Sequence, residues 1–182
     1  TSPISIITGG PGVGKTTVIS EVVNRTKLAN LKILLAAPTG RAAKRLSEST
    51  NIPACTIHRL LKWEPIEKNF VFNHDNKLFA DILVIDEVSM LDVQLAVALF
   101  KAVAPGTTVV LVGDSDQLPS VGAGNVLRDI IASEKAPCFR LTKVFRQAQE
   151  SQIIKYAHQI NHGKMPHIDS PFKKPEIWTE GA

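Results

Sequence analysis

Gly9-Gly10-Pro11-Gly12-Val13-Gly14-Lys15-Thr16 is the stretch on which the reading of this chain turns. Before it stands Ile4-Ser5-Ile6-Ile7-Thr8, with the length and β-branched content of a buried strand. After it, Val18, Ile19, Val22 and Val23 recur on one helical face. Strand, glycine-rich turn, lysine and helix in that order build a phosphate cradle. The glycines let backbone N–H groups turn inward, the helix N-terminus adds partial positive charge, and the ammonium reaches the outer phosphates. A hydroxyl directly after the lysine, Thr16, supplies a ligand for Mg²⁺. The nucleotide contacts expected are Gly10, Pro11, Gly12, Val13, Gly14, Lys15, Thr16 and Thr17, and the cofactors expected are ATP and Mg²⁺. A glycine-rich turn with an incidental lysine is the bland alternative, and it requires all of these positions to coincide by chance.

Working outward, short apolar runs alternate with helical periods along the chain. Residues 4–8, 32–37, 82–86 and 108–112 read as buried strands, with a fifth around 139–141. Leu95, Leu99 and Val103 form a core-facing helix stripe, as do Ile153, Ile154, Ala157 and Ile160. The pattern predicts an α/β fold, a mostly parallel sheet flanked by helices. Residues 64–80 break the rhythm. Two β-prone pieces, Asn69-Phe70-Val71-Phe72 and Lys77-Leu78-Phe79, flank His74-Asp75-Asn76, which predicts a protruding hairpin.

The strand Ile82-Leu83-Val84-Ile85 ends in two adjacent acids, Asp86 and Glu87. Side chains alternate along a strand, so the two carboxylates are expected to point differently, Asp86 to the metal shell and Glu87 to a water. Acids at a strand end also cap the following helix, a job that Ser89 or Asp92 can do instead.

Composition sets the outer bounds. At 182 residues and 44% hydrophobic the chain suits one well-cored domain and is too short for two. A net charge of +4 permits a polyanionic partner without requiring one. Cys55 and Cys138 lack metal-ligand spacing, so buried reduced thiols and a cytoplasmic setting are expected rather than a disulfide. No apolar run reaches the roughly 18 residues of a membrane span, so no membrane partner is expected. Thr1 stands close to a core strand and the end near Trp178 lacks a closing element, so the chain is expected to be a piece of a longer one.

Beyond the cradle and the acid pair, the sequence carries Ala37-Pro38-Thr39-Gly40-Arg41-Ala42-Ala43, Thr56-Ile57-His58-Arg59-Leu60-Leu61, Val112-Gly113-Asp114-Ser115-Asp116-Gln117-Leu118-Pro119-Ser120-Val121 and Val144-Phe145-Arg146-Gln147. In this order and spacing, with the first two, they resemble motifs I, Ia, Ib, II, III and IV of superfamily 1 DNA helicases. Within these the resemblance is to the RecD/TraA-like branch, which includes the alpha subunit of exodeoxyribonuclease V.

The resemblance implies the RecA-like fold of P-loop NTPases and 5′ to 3′ movement on single-stranded DNA driven by ATP. It implies a motor lobe over residues 1–145, with the 64–80 insertion resembling a small 1B wedge at a duplex fork, and residues 146–182 as the start of, or the connection to, a truncated second lobe. The catalytic set implied is Lys15, Asp86, Glu87, Gln117 and Arg146. Gln117, following a buried strand, can place its amide near a γ-phosphate, and Arg146 resembles the motif IV arginine that neutralises charge on the transferred phosphoryl group. DNA contacts fall on Pro38, Thr39, Gly40, Arg41, Lys44, Arg45, Thr56, His58, Arg59 and Trp63. Pro38-Thr39-Gly40 opens a helix whose N–H groups and hydroxyl suit phosphate, and Arg41, Lys44 and Arg45 share one face, as a phosphate track or a solvated basic surface. Trp63 stacks a base or packs the core.

The partners implied are single-stranded DNA, a duplex fork and RecB/RecC-like nuclease-helicase subunits. The glutamine-containing segment upstream of motif I and the later motifs of the second lobe are absent from the sequence, so weak or no unwinding by this piece is expected. A P-loop kinase using Glu87 or Asp114 toward an acceptor, and a non-catalytic ATP-gated DNA-binding subunit, are the alternatives left open.

Overall fold

The computed structural model describes residues 3–143, 156, 159–161 and 163–165. Six strands, all parallel, form one sheet: β1 Ile4–Thr8, β2 Ile33–Ala37, β3 Ala54–Thr56, β6 Ile82–Ile85, β7 Thr108–Gly113 and β8 Cys138–Arg140. Their spatial order is β3-β2-β6-β7-β1-β8. All five strands read from the apolar runs are present within a residue or two of the expected bounds. β3 was missed, because Ala54-Cys55-Thr56 is too short and too weakly apolar to stand out.

Because β2, β6 and β7 are covered on both faces, they read as continuous apolar runs, and alternation sorts their residues between two cores. On one face Ile6, Leu83, Ile85, Val109 and Leu111 meet Leu95 and Leu99 of α4 (Val93–Ala102) and Leu127 of α5 (Val126–Ala132). On the other, Ile7, Leu35, Val84 and Val112 meet Ile19 and Val23 of α1 (Lys15–Leu28) and Leu46 of α2 (Gly40–Thr50). The stripes expected at Val18, Ile19, Val22 and Val23 and at Leu95, Leu99 and Val103 face these cores, with Val18, Val22 and Val103 half-buried at their margins. Ile160 is exposed, and Ile153, Ile154 and Ala157 lie outside the described residues.

Parallel strands all end at one edge, and the chain leaves β1 toward β2 but β7 toward β8, in opposite directions across the sheet. That reversal opens a crevice at the carboxyl ends of the strands, the usual ligand site of such sheets.

The hairpin differs from expectation. Its strands are β4 Trp63–Glu64 and β5 Asn69–Phe70, antiparallel, with Trp63 opposite Phe70. The two β-prone pieces do not pair with each other. Leu78 instead bridges to Val103 and is buried, so hydrophobic burial against α4 pulls that piece out of the hairpin. The cysteines are both free, as expected, but Cys55 is half-buried and Cys138 exposed, since β8 is an edge strand. Among the described residues no helix is long and apolar enough to cross a membrane.

Candidate nucleotide and nucleic-acid site

The loop after β1 turns through Gly12 and Gly14, whose φ values of 76° and 89° are open to glycine at little cost. Gly9 is fixed by space. A Cβ there would stand 2.5 Å from the Leu141 carbonyl oxygen and 2.8 Å from Val13 Cγ2. α1 begins at Lys15 with neither a side-chain cap nor an acid in its first turn, so its leading N–H groups and dipole face the crevice. The Lys15 ammonium donates to the carbonyl oxygens of Gly9 and, at 2.9 Å, Gly10, which holds it over the loop. Thr16 and Thr17 are exposed at the helix start.

The acid pair lies two strands away, after β6. The strand ends at Ile85, and Glu87 takes a left-handed φ of 54°. The two carboxylates are therefore set by this turn and not by strand alternation, which the sequence had suggested. Asp86 Oδ1 accepts the Glu87 N–H at 2.9 Å. Burial pushes the Asp86 carboxyl above its ordinary range, against the pull of that N–H and of Lys15. Glu87 is raised by burial first and by Asp86 next, with Asp114 adding to the rise, while Lys15 and Arg45 oppose it. The capping alternative falls to Asp92, whose carboxylate accepts the Leu95 N–H at 2.8 Å at the start of α4.

β7 runs between β1 and β6, so its end sits between cradle and acids. Asp114 is 2% exposed, and its carboxylate accepts the Asp116 N–H at 3.0 Å. The Ser115 N–H donates to Thr8 Oγ1 at 3.3 Å, tying this loop to the end of β1. Gln117 Oε1 accepts from the Ser89 hydroxyl at 3.1 Å, which places the Gln117 amide against the turn that carries Glu87. In the sequence Asp114 stood out only within the Val112–Val121 motif and as the acid of the kinase alternative, and Ser89 only as a helix-cap candidate; the end of β7 reaches the acid pair through the strand order, which the linear sequence does not state. Arg146 lies outside the described residues.

These residues suit a nucleoside triphosphate with magnesium. A glycine cradle, an uncapped helix N-terminus and a lysine offer positive potential to phosphates, while Asp86 and the Thr16 hydroxyl are oxygen ligands of the hard kind. Among the described residues no three His, Cys, Asp or Glu side chains gather as a metal cage.

The expected DNA-contacting residues fall on the loops after β2 and β3. The Thr39 hydroxyl oxygen accepts the Ala42 N–H at 3.3 Å and caps α2, and Thr56 does the same for Arg59 N–H at 3.2 Å at the start of α3 (Ile57–Leu60). Each hydroxyl keeps its proton for an outside acceptor. Arg41, Lys44 and Arg45 are exposed on α2, Lys44 leaning toward Glu48 at 3.9 Å. Thr39 also borders a groove of about 600 Å³ shared with Met90, Gln117, Leu118 and Val121. His58, Trp63 and Phe70 form an aromatic cluster at the base of the hairpin, Trp63 meeting Phe70 edge-on at 4.8 Å, and Trp63 keeps 40% of its surface exposed.

The family model of an AAA domain matches residues 1–174. The ATP-dependent RecD2 DNA helicase of Deinococcus radiodurans is 45% identical over 178 residues, covering 97% of this chain and 24% of that protein. The RecBCD enzyme subunit RecD of Mycolicibacterium smegmatis is 40% identical over 152 residues, covering 70% of this chain and 27% of that protein. The chain thus spans about a quarter of the length of these curated relatives. Among solved structures, that of the Pif1 helicase from Bacteroides with ADP-AlF3 and single-stranded DNA superposes with a TM-score of 0.56 at 21% identity, covering 93% of this chain and 48% of its own. A second Pif1 structure, from work on unwinding at forked DNA, gives a TM-score of 0.59 at 24% identity over 89% of this chain and 45% of its own. These likenesses show the RecA-like P-loop fold. With its family match running almost end to end, and with the identities to RecD2 and RecD given above, this chain belongs to the AAA domain family and is similar within it to the RecD and RecD2 proteins.

Proposed function

We propose that this chain is the first motor lobe of an ATP-dependent DNA helicase that moves 5′ to 3′ along single-stranded DNA. The observation that carries the reading is the convergence of three loop ends on one crevice: Lys15 after β1, Asp86 and Glu87 after β6, and Gln117 after β7. The loop after β2 brings Thr39 and the basic face of α2 to the same edge.

In this reading Gly10 to Thr17 bind the triphosphate, and the Lys15 ammonium leaves the loop carbonyls for the outer phosphates. Thr16 and Asp86 hold Mg²⁺, which when bound neutralises charge on the phosphates. Glu87, lifted by burial toward a more basic carboxylate, orients and polarises the attacking water. Gln117 senses the γ-phosphate, and because its amide is bonded to Ser89, a change at the phosphate is passed to the turn holding Glu87. Arg146 is assigned to the same phosphate by the motif alone. Residues 1–145 form the lobe and 146–182 lead toward the second. The basic face of α2 and the loop before α3 track the DNA backbone, and the hairpin stands where a fork would meet it. RecB/RecC-like partners belong to the same proposal, drawn from the RecBCD subunits among the relatives.

ATP turnover by the intact polypeptide, with and without single-stranded DNA, tests the proposal. Wild type is expected to hydrolyse ATP and to accelerate with DNA. Lys15→Ala should lose nucleotide binding, and Glu87→Gln should keep binding while turnover falls by about a hundredfold or more. Turnover indifferent to DNA but responsive to a small phosphoryl acceptor would select a kinase instead.

A further inference from the structure

The segment from Asp114 to Gln117 belongs to no helix or strand, yet it joins the end of β1 to the turn after Glu87. Its start is rigid. A Cβ on Gly113 would stand 2.8 Å from Leu127 Cδ2 and 3.2 Å from the Ser89 backbone nitrogen, so the end of β7 is held between α5 and that turn. Val126 and Leu127 are buried, which fixes the first turn of α5 against the core. Beyond Gly113 the ties weaken. The Ser115 N–H reaches Thr8 Oγ1 at 3.3 Å, the Gln117 N–H reaches the Asp114 carbonyl at 3.3 Å, and the Ser115 hydroxyl reaches Asp116 Oδ1 at 3.4 Å, all longer than usual. The Asp116 N–H meets Asp114 at 3.0 Å, but both partners lie within the loop.

Arg128, directly after Leu127, supplies the short tie: its Nε–H donates to the Ser115 carbonyl at 2.8 Å. A guanidinium donor makes this bond charge-assisted, roughly twice as strong as a neutral one. Asp129 is its neighbour in the chain, yet among the described residues Arg128 pairs with no carboxylate. An exposed arginine is thus committed to a backbone oxygen close before Gln117. The Ser89 hydroxyl already occupies Gln117 Oε1, so what this side chain offers a nucleotide is its amide N–H pair. Where those donors point depends on the Ser115–Asp116 peptide, whose carbonyl Arg128 holds.

We propose that Arg128 is a positioning residue for triphosphate recognition: by gripping the Ser115 carbonyl it fixes the loop in the form whose Gln117 amide meets the γ-phosphate, so α5 sets the preference for triphosphate over diphosphate. A diphosphate lacks the group that Gln117 meets, and its binding does not depend on the loop. Without the Arg128 bond the loop visits other forms, and triphosphate affinity falls with the fraction of molecules that keep the competent one. The inference deepens the nucleotide reading above and rests on Gln117 facing the γ-phosphate.

The experiment measures binding of ADP and of the non-hydrolysable analogue adenylyl imidodiphosphate to the intact polypeptide, with magnesium, by calorimetry. Arg128→Met keeps the apolar stem and removes the donor. It is expected to weaken binding of the analogue by about fivefold or more, the low end of ordinary coupling, with ADP affinity and melting temperature nearly unchanged. Arg128→Lys, which can still donate to one carbonyl, should restore most of the preference. Arg128→Met added to Gln117→Ala should cost little beyond Gln117→Ala alone, as for residues acting through one contact. Equal losses for both nucleotides, or a preference that survives Arg128→Met while Gln117→Ala abolishes it, would overturn the proposal alone. A preference that survives Gln117→Ala would sink the reading of Gln117, and the role of Arg128 with it.

Discussion

Glu87 holds a backbone conformation that glycine and asparagine favour, and it keeps a carboxylate in a half-buried place beside Asp86 and near Asp114. Both features oppose folding and suit chemistry, since a strained turn aims the side chain and desolvation makes it more basic. Neutralising Glu87 removes the buried charge and its repulsion from Asp86. Glu87→Gln is therefore expected to raise the melting temperature of the protein free of nucleotide and metal by about 2 °C, read by calorimetry. A fall would mean that attraction from Lys15 and Arg45 outweighs burial. The identity of Glu87 was legible because Asp86-Glu87 follows an apolar run. Its left-handed backbone was not, because that conformation is imposed by Val88 and Leu91 being drawn into the core just after it.

Among the elements, the hairpin shows how local propensity yields to burial. Lys77-Leu78-Phe79 has strand character, but Leu78 gains more from the α4 side of the core than from pairing with Asn69-Phe70. The partner of β5 is then the segment that begins with Trp63, and pairing brings Trp63, Phe70 and His58 together. Stacking and packing now make different predictions for Trp63. Trp63→Ala is expected to weaken single-stranded DNA binding by about 1–3 kcal/mol, measured by fluorescence anisotropy in the intact polypeptide, with its melting temperature nearly unchanged. A large drop in melting temperature with unaltered affinity would make Trp63 a packing residue. β3 was illegible for a related reason: three residues of modest hydrophobicity form a strand because β2 offers an open edge.

Taken whole, the described residues build a single six-stranded sheet whose crevice and the basic face of α2 lie on the same edge, and in the proposed reading they form one lobe of a motor. Movement along a strand requires two bodies that close and open around nucleotide. The isolated 182-residue chain is accordingly expected to give no strand separation on a forked duplex in a gel-based assay, and robust unwinding would refute the two-body account. The sequence by itself determined the cradle, the acid pair, the positions of the main strands along the chain and the parallel character of the sheet, because each is written in contiguous residues whose spacing serves local hydrogen bonding and burial. What only the tertiary structure decided is which distant residues share the crevice. Asp114 and Gln117 come near the acid pair because β7 lies between β1 and β6, and such neighbourhoods arise from packing across the sheet, where separation along the chain no longer measures distance.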